Sequence, residues 1–223
     1  MKHRLAVDTS GSFCSVALQH ADGGVFHVES EGNGDHFEQL PRLVDSLVAQ
    51  ASIQVGDLGQ ILIGIGPGSF TGLRIGMSFV KGLACAVRVP LVGLSSFYAV
   101  AKCRAMTGVE NGPMLVVSDA RRREVFCAEY EITSSDVLEV QPARIVGEHL
   151  VEKWISETGG VVVTPLRGWV VEGVQMIVEP RISEGLLALP TSIDGYSVSQ
   201  IALLEPDYVR GVSAKSIAER RGS

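Results

Sequence analysis

A pattern of elements that occurs twice constrains this chain more than any other feature of its sequence. Residues 5–8 form a short apolar run that ends in an aspartate, and a loop of small polar residues joins it to a second apolar run at 14–18. Residues 114–119 and 124–130 repeat this order, again with an aspartate at the end of the first run. Short apolar runs bounded by turn residues are typical of strands. The pattern therefore predicts two lobes of one design.

The segments between the two copies predict the rest of the design. In the first half we expect a third strand at residues 25–29, followed by helix, strand, helix, strand and helix, ending near residue 106. Asp35 is placed to cap the first helix, with Glu38 three residues later. A three-stranded meander followed by alternating helices and strands is a mixed α/β architecture. Because this order occurs in both halves of the chain, it matches the duplicated ribonuclease-H-like fold shared by actin, sugar kinases and the Hsp70 ATPase domain.

We expect the boundary between the lobes at the turn residues 111–113. The N-terminal ribonuclease-H-like lobe, residues 1–108, carries the two helices that can form an interface. The C-terminal lobe, residues 109–223, is expected to be less regular, and residues 181–196 receive no assignment. A helix and two strands are predicted there at residues 147–157, 160–164 and 174–179.

Composition excludes several classes of protein. The chain has 223 residues, 46% of them hydrophobic, and a formal net charge of −6. A chain of this apolar content buries a sizeable core, and an acidic chain without long basic runs does not coat nucleic acid. No membrane segment is expected, because the apolar stretch at residues 159–180 is interrupted by a proline and charged residues. We expect a cytoplasmic protein whose cysteines, none of them closely spaced, are reduced.

The most informative segment is glycine-rich and lies at residues 64–76, between a predicted buried strand and a predicted helix. It lacks the Gly-Lys-Ser/Thr of a Walker loop and the spacing of a dinucleotide fingerprint. Backbone N–H groups in such a turn can still bind a nucleotide phosphate, and the alternative is that the glycines only form a tight turn. The candidate phosphate-site residues come from this turn and from the loop after the first strand: Asp8, Thr9, Ser10, Gly66, Gly68 and Ser69.

Glycine spacing within the second predicted helix indicates a close approach of another backbone. Gly72 and Gly76 lie about one turn apart on one face, and each glycine inside a helix costs about 1 kcal/mol relative to alanine. The first predicted helix has a wide apolar stripe, so the two helices carry more apolar surface than one sheet face covers. We therefore expect an interface with another chain, and the alternative is a contact within this chain. The stripe consists of Phe37, Leu40, Leu43, Val44 and Leu47.

The sequence offers little support for metal or nucleophile chemistry. A helical metal pair would need a second histidine four residues after His36, but Leu40 stands there. Asp8 and Asp119 each follow an apolar strand, where they can hold a metal through water or cap their own turns. No Ser/His/Asp or Cys/His set can be assembled from the spacing. We expect no metal site, and we interpret the three arginines at residues 121–123 as a solvated turn.

Several segments resemble signatures of the bacterial TsaB family, formerly called YeaZ. The resemblance spans most of the chain, although residues 161–195 depart from the family pattern. The matching segments are LAVDTS at 5–10, GPGSFTGLRIG at 66–76, DARR at 119–122 and EPDYVR at 205–210.

The resemblance implies a function and partners. Members of this family are noncatalytic scaffold subunits of the machinery that forms N6-threonylcarbamoyladenosine at position 37 of tRNA. They pair through their first two helices with the catalytic subunit TsaD, form homodimers with the same surface, and work with the ATPase TsaE. We expect contact with tRNA to be only indirect or weak. TsaD carries a metal-binding His-x-x-x-His in its first helix, and His36 followed by Leu40 lacks the second ligand. No cofactor is implied, while weak ATP or ADP binding stays open.

Two other functions stay open beside the scaffold subunit. An ATP-using enzyme of the actin and sugar-kinase superfamily needs phosphate loops in both lobes and a catalytic acid, whereas residues 120–123 lack the glycines of a second loop. A metallopeptidase needs metal ligands that the spacing does not supply. The sequence favours the scaffold subunit over both.

Overall fold

The computed structural model describes residues 2–30, 36–108, 110–134, 136–179, 181–189 and 195–209. The strands of its first sheet are β1 His3–Asp8, β2 Ser15–Gln19, β3 Val25–Glu29, β4 Leu58–Gly64 and β5 Leu91–Leu94. They lie in the order β3-β2-β1-β4-β5. β2 is antiparallel to both of its neighbours, whereas β1, β4 and β5 run parallel.

A second sheet repeats this arrangement. Its strands are β6 Gly112–Arg121, β7 Glu124–Ile132, β8 Val137–Gly147, β9 Val161–Thr164 and β10 Met176–Val178. They lie in the order β8-β7-β6-β9-β10, with β7 antiparallel to its neighbours and β6, β9 and β10 parallel. Because strand order and strand direction are the same in both sheets, the structure confirms the duplicated ribonuclease-H-like α/β fold.

Helices cover the two sheets in layers. They are α1 His36–Gln50, α2 Phe70–Val87, α3 Ser96–Ala105, α4 His149–Thr158 and α5 Ile182–Leu187. The helices α1 and α2 pack on the outer face of the first sheet, α3 and α5 lie between the sheets, and α4 packs on the outer face of the second. The cap predicted at Asp35 falls in residues 31–35, outside the described residues.

Strand side chains fill the core on both faces of the first sheet. In β1, Leu5 and Val7 join the layer of α1 and α2, whereas Ala6 joins the layer between the sheets. In β4, Ile61 and Leu62 divide in the same way. Successive strand residues point to opposite faces, so strands buried on both faces form continuous apolar runs without alternation.

Two elements of the second lobe escape sequence-based prediction. β8 lies at the edge of its sheet with mostly exposed or half-buried residues, and it contains Pro142, which an edge strand tolerates. α5 has only six residues, too few for a helical period, and Gly185 packs it directly against the backbone of Ala99 in α3. The helix predicted at residues 147–157 begins at His149 in the structure.

The last elements of the chain return to the first sheet. α5 packs against α3, β1 and β2. The N–H of Tyr196 donates to the carbonyl of Leu91 at 2.8 Å, and the N–H of Asp207 donates to the carbonyl of Ile65 at 2.8 Å. The chain passes from the first sheet to the second between α3 and β6. Because α5, Tyr196 and Asp207 contact the first sheet again, part of the region predicted as the second lobe packs with the first lobe.

α2 has the length and apolar composition that a membrane-spanning helix would need. About a third of it is buried, on the face that packs against the first sheet. Apolar helices of soluble proteins share this length and composition, so neither property identifies a membrane span.

Candidate functional site

The glycines that suggested a partner interface face into their own chain. A Cβ on Gly72 would lie closer than 3.0 Å to the carbonyl oxygen of Thr9, and a Cβ on Gly76 would lie equally close to the Thr9 hydroxyl. The Thr9 hydroxyl also donates a hydrogen bond of 2.8 Å to the carbonyl of Gly72. The placement of Gly72 and Gly76 at a partner interface is therefore wrong, because the backbone that approaches them is the loop after β1.

Most of the α1 stripe is buried as well. Val44 and Leu47 lie in the core between α1 and the first sheet, so their placement at a partner interface is wrong. Leu40 is also fully buried, although it contributes to the lining of the surface groove described next. Phe37 is 77% exposed and Leu43 is half-buried, so these two members of the stripe are accessible.

An apolar groove of about 850 Å³ runs between the outer faces of α1 and α2. Phe37 stands on its α1 side, and Phe70, which is 45% exposed, stands on its α2 side. We call this surface the α1–α2 groove. It is lined by Phe37, Glu38, Leu40, Pro41, Arg42, Phe70, Thr71, Arg74, Ile75, Ser78 and Phe79.

A line of small exposed residues continues the groove along α2. Ser78, Gly82 and Ala86 follow one another at intervals of four residues, and all three are exposed. A Cβ on Gly82 would meet no heavy atom within 4 Å. Small residues at this spacing on an exposed helix face permit a second helix to approach closely. Contacts within this chain explain Gly72 and Gly76, but they do not explain why α2 has a glycine at position 82.

The glycine-rich turn before α2 uses its polar groups internally. The N–H of Ser69 donates to the carbonyl of Ser10 at 2.7 Å, and the Ser69 hydroxyl caps α2 by accepting the N–H of Gly72 at 3.2 Å. The N–H of Gly66 donates to the Ser96 hydroxyl at 3.1 Å. These donors hold the turn against the loop after β1, which leaves them unavailable to a phosphate.

Asp8 is fully buried, and both of its carboxyl oxygens accept hydrogen bonds. Its Oδ1 accepts the N–H and the hydroxyl of Ser10 at 2.8 and 2.6 Å, and its Oδ2 accepts the Ser96 hydroxyl at 2.6 Å. Burial raises the pKa of Asp8, because desolvation penalises the carboxylate, while the hydrogen bonds from Ser10 and Ser96 oppose the rise. Asp8 therefore holds two loops together, and its burial separates its carboxyl group from the solvent.

The raised pKa of Asp8 predicts a pH dependence of stability. A carboxyl whose pKa is higher in the folded than in the unfolded state stabilises the fold less as pH rises through the folded pKa. In Asp8→Asn this titration is absent. We expect the free energy of unfolding of the wild type, relative to that of the variant, to fall as pH rises from about 4, the ordinary pKa of an aspartate, through the raised pKa of the folded protein. Urea unfolding of both proteins across that range measures the difference, and parallel curves would contradict the assignment.

A polar cleft of about 820 Å³ opens between the two lobes, and we call it the interlobe cleft. The turn before α2 forms one side, and the loop between β6 and β7 forms the other. Of the six candidate phosphate-site residues, those that line the cleft are Ser10, Gly68 and Ser69. The remaining three are buried and do not line it, so their placement in a phosphate site stays a prediction: Asp8, Thr9 and Gly66.

Neither Asp119 nor His36 belongs to a set of metal ligands. Asp119 accepts the N–H of Arg121 at 2.6 Å and pairs with its guanidinium at 3.1 Å, so it caps its own turn. His36 is buried, with Nε2 3.2 Å from the carbonyl oxygen of Gly11. Within the described ranges, no three His, Cys, Asp or Glu residues converge on a point that could hold a metal ion.

Two residues of the groove, Phe70 and Ser78, are not among those singled out from the sequence. The exposed stripe of α2 repeats at intervals of three and four residues, which is the same period as the buried stripe. Both stripes contain glycine, so the sequence alone does not separate the inward face from the outward one.

Comparison with known proteins gives consistent matches. A family model described as "TsaD: tRNA N6-adenosine threonylcarbamoyltransferase" matches residues 15–152. A protein of Escherichia coli K12 named tRNA threonylcarbamoyladenosine biosynthesis protein TsaB is 31% identical over 176 residues, which are 74% of this chain and 71% of that protein. The protein of the same name in Haemophilus influenzae is 31% identical over 126 residues, which cover 56% of this chain and 52% of the relative.

A solved structure shares the fold. YeaZ from Pseudomonas aeruginosa superposes with a TM-score of 0.72 at 24% identity, covering 93% of this chain and 100% of that one. Agreement over nearly the whole of both chains supports the two-lobed architecture.

Proposed function

The chain belongs to the TsaB family and takes part in forming N6-threonylcarbamoyladenosine in tRNA, and we propose that it acts there as a noncatalytic subunit that binds and activates the catalytic subunit TsaD. The α1–α2 groove carries this proposal. It presents the exposed ring of Phe37 beside an open line of small residues on α2. Exposed apolar surface of this kind marks an interaction site in a soluble protein.

The shape of the groove fits a pair of helices. Gly82 leaves room for a backbone to approach α2, and Phe37 and Phe70 are large anchors of the kind that dominate interface energies. A TsaD family model matches residues 15–152 of this chain, a range that contains both α1 and α2. We therefore propose that TsaD contributes an equivalent helix pair and that the contact is a four-helix arrangement. In the absence of TsaD, two copies of this chain would pair through the same groove.

The remaining parts of the assembly follow from the family resemblance. We propose that the ATPase TsaE acts together with the pair and that the complex works in the cytoplasm. No cofactor is assigned to this chain.

Copurification tests the subunit role directly. We expect the purified chain to form a stable complex with TsaD and the yield of N6-threonylcarbamoyladenosine in tRNA to fall sharply when this chain is left out. Mass spectrometry of digested tRNA measures the yield. Full modification by TsaD and TsaE without this chain would contradict the proposal.

The noncatalytic role leads to a prediction about ATP. We expect the isolated chain to hydrolyse ATP no faster than a buffer blank, because the donors of the glycine-rich turn are engaged internally and Asp8 is sealed from the cleft. A coupled assay for released phosphate provides the measurement. Steady turnover that disappears in Asp8→Asn would instead support the enzyme of the actin and sugar-kinase superfamily.

A further inference from the structure

The hairpin between β6 and β7 has an unusual backbone. Arg121 pairs with Glu124 across the two strands, and Arg122 and Arg123 form the two-residue turn. All three arginines have positive φ angles, of 67°, 59° and 60°. Turns of this type favour Asn-Gly or Gly-Gly, since residues with a Cβ resist the left-handed region. Three consecutive arginines in this conformation therefore work against the stability of the hairpin.

Contacts within the chain do not explain the arginines. Arg121 pairs with Asp119, and its side chain is 87% exposed. In the part of the chain that the structure describes, the side chains of Arg122 and Arg123 form no ion pair or hydrogen bond. Strained residues without a structural role concentrate at functional sites.

The hairpin faces the interlobe cleft, whose lining includes both arginines and aromatic rings. Arg121 and Arg122 line the cleft together with Trp169 and Arg167. The Arg167 guanidinium lies 5.0 Å from the centre of the Phe13 ring.

A second set of rings stands on the opposite wall of the cleft. Phe70 and Tyr208, whose ring centres lie 5.1 Å apart, both line it. The guanidinium of Arg74 lies 4.8 Å from the centre of the Phe70 ring. Aromatic rings interleaved with arginines are the usual construction of a surface that binds single-stranded nucleic acid.

We propose that the interlobe cleft binds a single-stranded stretch of RNA directly, with the arginines of the β6–β7 hairpin on its phosphates and the rings of Trp169 and Tyr208, which line the cleft, on its bases. This inference rests on the proposed function, in which tRNA is the substrate. It assigns a direct RNA contact where the sequence led us to expect only an indirect or weak one.

The donor arrangement favours an RNA strand over a free nucleotide. A triphosphate needs a compact set of donors around one point, but the turn before α2 has already used the N–H groups of Ser69 and Gly66. The arginines instead project from a separate hairpin at the mouth of the cleft, where they can reach successive phosphates. Among the described residues that line the cleft, the acidic ones are Asp119, which pairs with Arg121, and Asp207, while Arg167 pairs with Glu29.

A double substitution separates binding from folding. Replacing Arg122→Asn together with Arg123→Gly installs the residues that this turn prefers, so the melting temperature should rise. The affinity for a labelled single-stranded RNA of about twelve nucleotides should nevertheless fall about tenfold at 0.1 M salt. The slope of log Kd against log salt should decrease by about 1.4, which is about 0.7 for each lost contact with a phosphate of a single strand.

The control is Arg88→Asn. Arg88 is also a left-handed arginine, but it caps the far end of α2, about 27 Å of helix away from the cleft. Its replacement removes a charge at a similar backbone position and should leave RNA affinity unchanged.

Fluorescence anisotropy with the isolated full chain reports these affinities, so the result does not depend on pairing with TsaD. Equal RNA affinity in the double variant and the wild type, or equal losses in the double variant and Arg88→Asn, would overturn the proposal. Displacement of the RNA by millimolar ATP would also overturn it, because the cleft would then be a mononucleotide site.

Discussion

Replacing Gly72 with alanine is expected to destabilise the chain severely, whereas the same replacement at Gly82 in the same helix is expected to stabilise it. A Cβ on Gly72 would overlap with the carbonyl oxygen of Thr9, a backbone atom that follows β1. Relief requires α2 to move away from the first sheet, and overpacking of this kind costs about 1–3 kcal/mol or more. For a chain of this size, each kcal/mol lowers the melting temperature by about 2–4 °C.

Gly82→Ala is the matched control, because a Cβ at that position meets nothing within 4 Å. Alanine inside an exposed helix is favoured over glycine by about 0.5–1 kcal/mol. Denaturant unfolding of both variants measures whether each substitution lowers or raises the free energy of unfolding. A Gly72→Ala protein with the stability of the wild type would show that α2 is not packed against the loop after β1.

The opposite expectations for these glycines show what sequence patterns leave open. Glycines repeated along one helix face correctly indicate that another backbone comes close. They do not identify that backbone, because a loop of the same chain and a helix of a partner favour the same small residues. The loop at Thr9 that contacts Gly72 and Gly76 is more than 60 residues away in the sequence. The sequence therefore predicts that the glycine face of α2 packs against a backbone, but it does not predict which segment supplies that backbone.

The apolar stripe of α1 has a related ambiguity. Its period identifies a face, and by the usual rule that face is buried against the core, as Val44 and Leu47 are. Phe37 lies on the same stripe but in the first turn of the helix, where it is largely exposed. Periodicity identifies the stripe but does not say which of its members the core covers.

The fold was more accessible to prediction than the site, because its evidence is local. Buried strands such as β1 and β4 appear as apolar runs, and turn residues mark their ends. The elements that escaped prediction, β8 and α5, owe their structure to neighbours distant in sequence. β8 is added to the edge of β7, and α5 is held against α3 through Gly185.

Phe37→Ala is expected to abolish stable pairing with TsaD while leaving the fold intact. The ring of Phe37 is 77% exposed, so its loss removes little core packing. At the centre of an interface, loss of a large aromatic anchor costs about 2–4 kcal/mol, which weakens the Kd by about 30- to 1,000-fold. Titration calorimetry with TsaD measures the change, and thermal melting verifies the fold.

A matched substitution separates loss of the interface from loss of exposed apolar surface in general. Leu138 is 54% exposed on β8, at the edge of the second sheet, so Leu138→Ala should leave pairing unchanged. If the groove acts only by assembling the complex, excess TsaD should restore N6-threonylcarbamoyladenosine formation by Phe37→Ala to the wild-type level. Normal pairing by Phe37→Ala, or equal losses in both variants, would mean that TsaD binds elsewhere. Modification that stays low at saturating TsaD would instead assign Phe37 a part in activation itself, beyond holding the two subunits together.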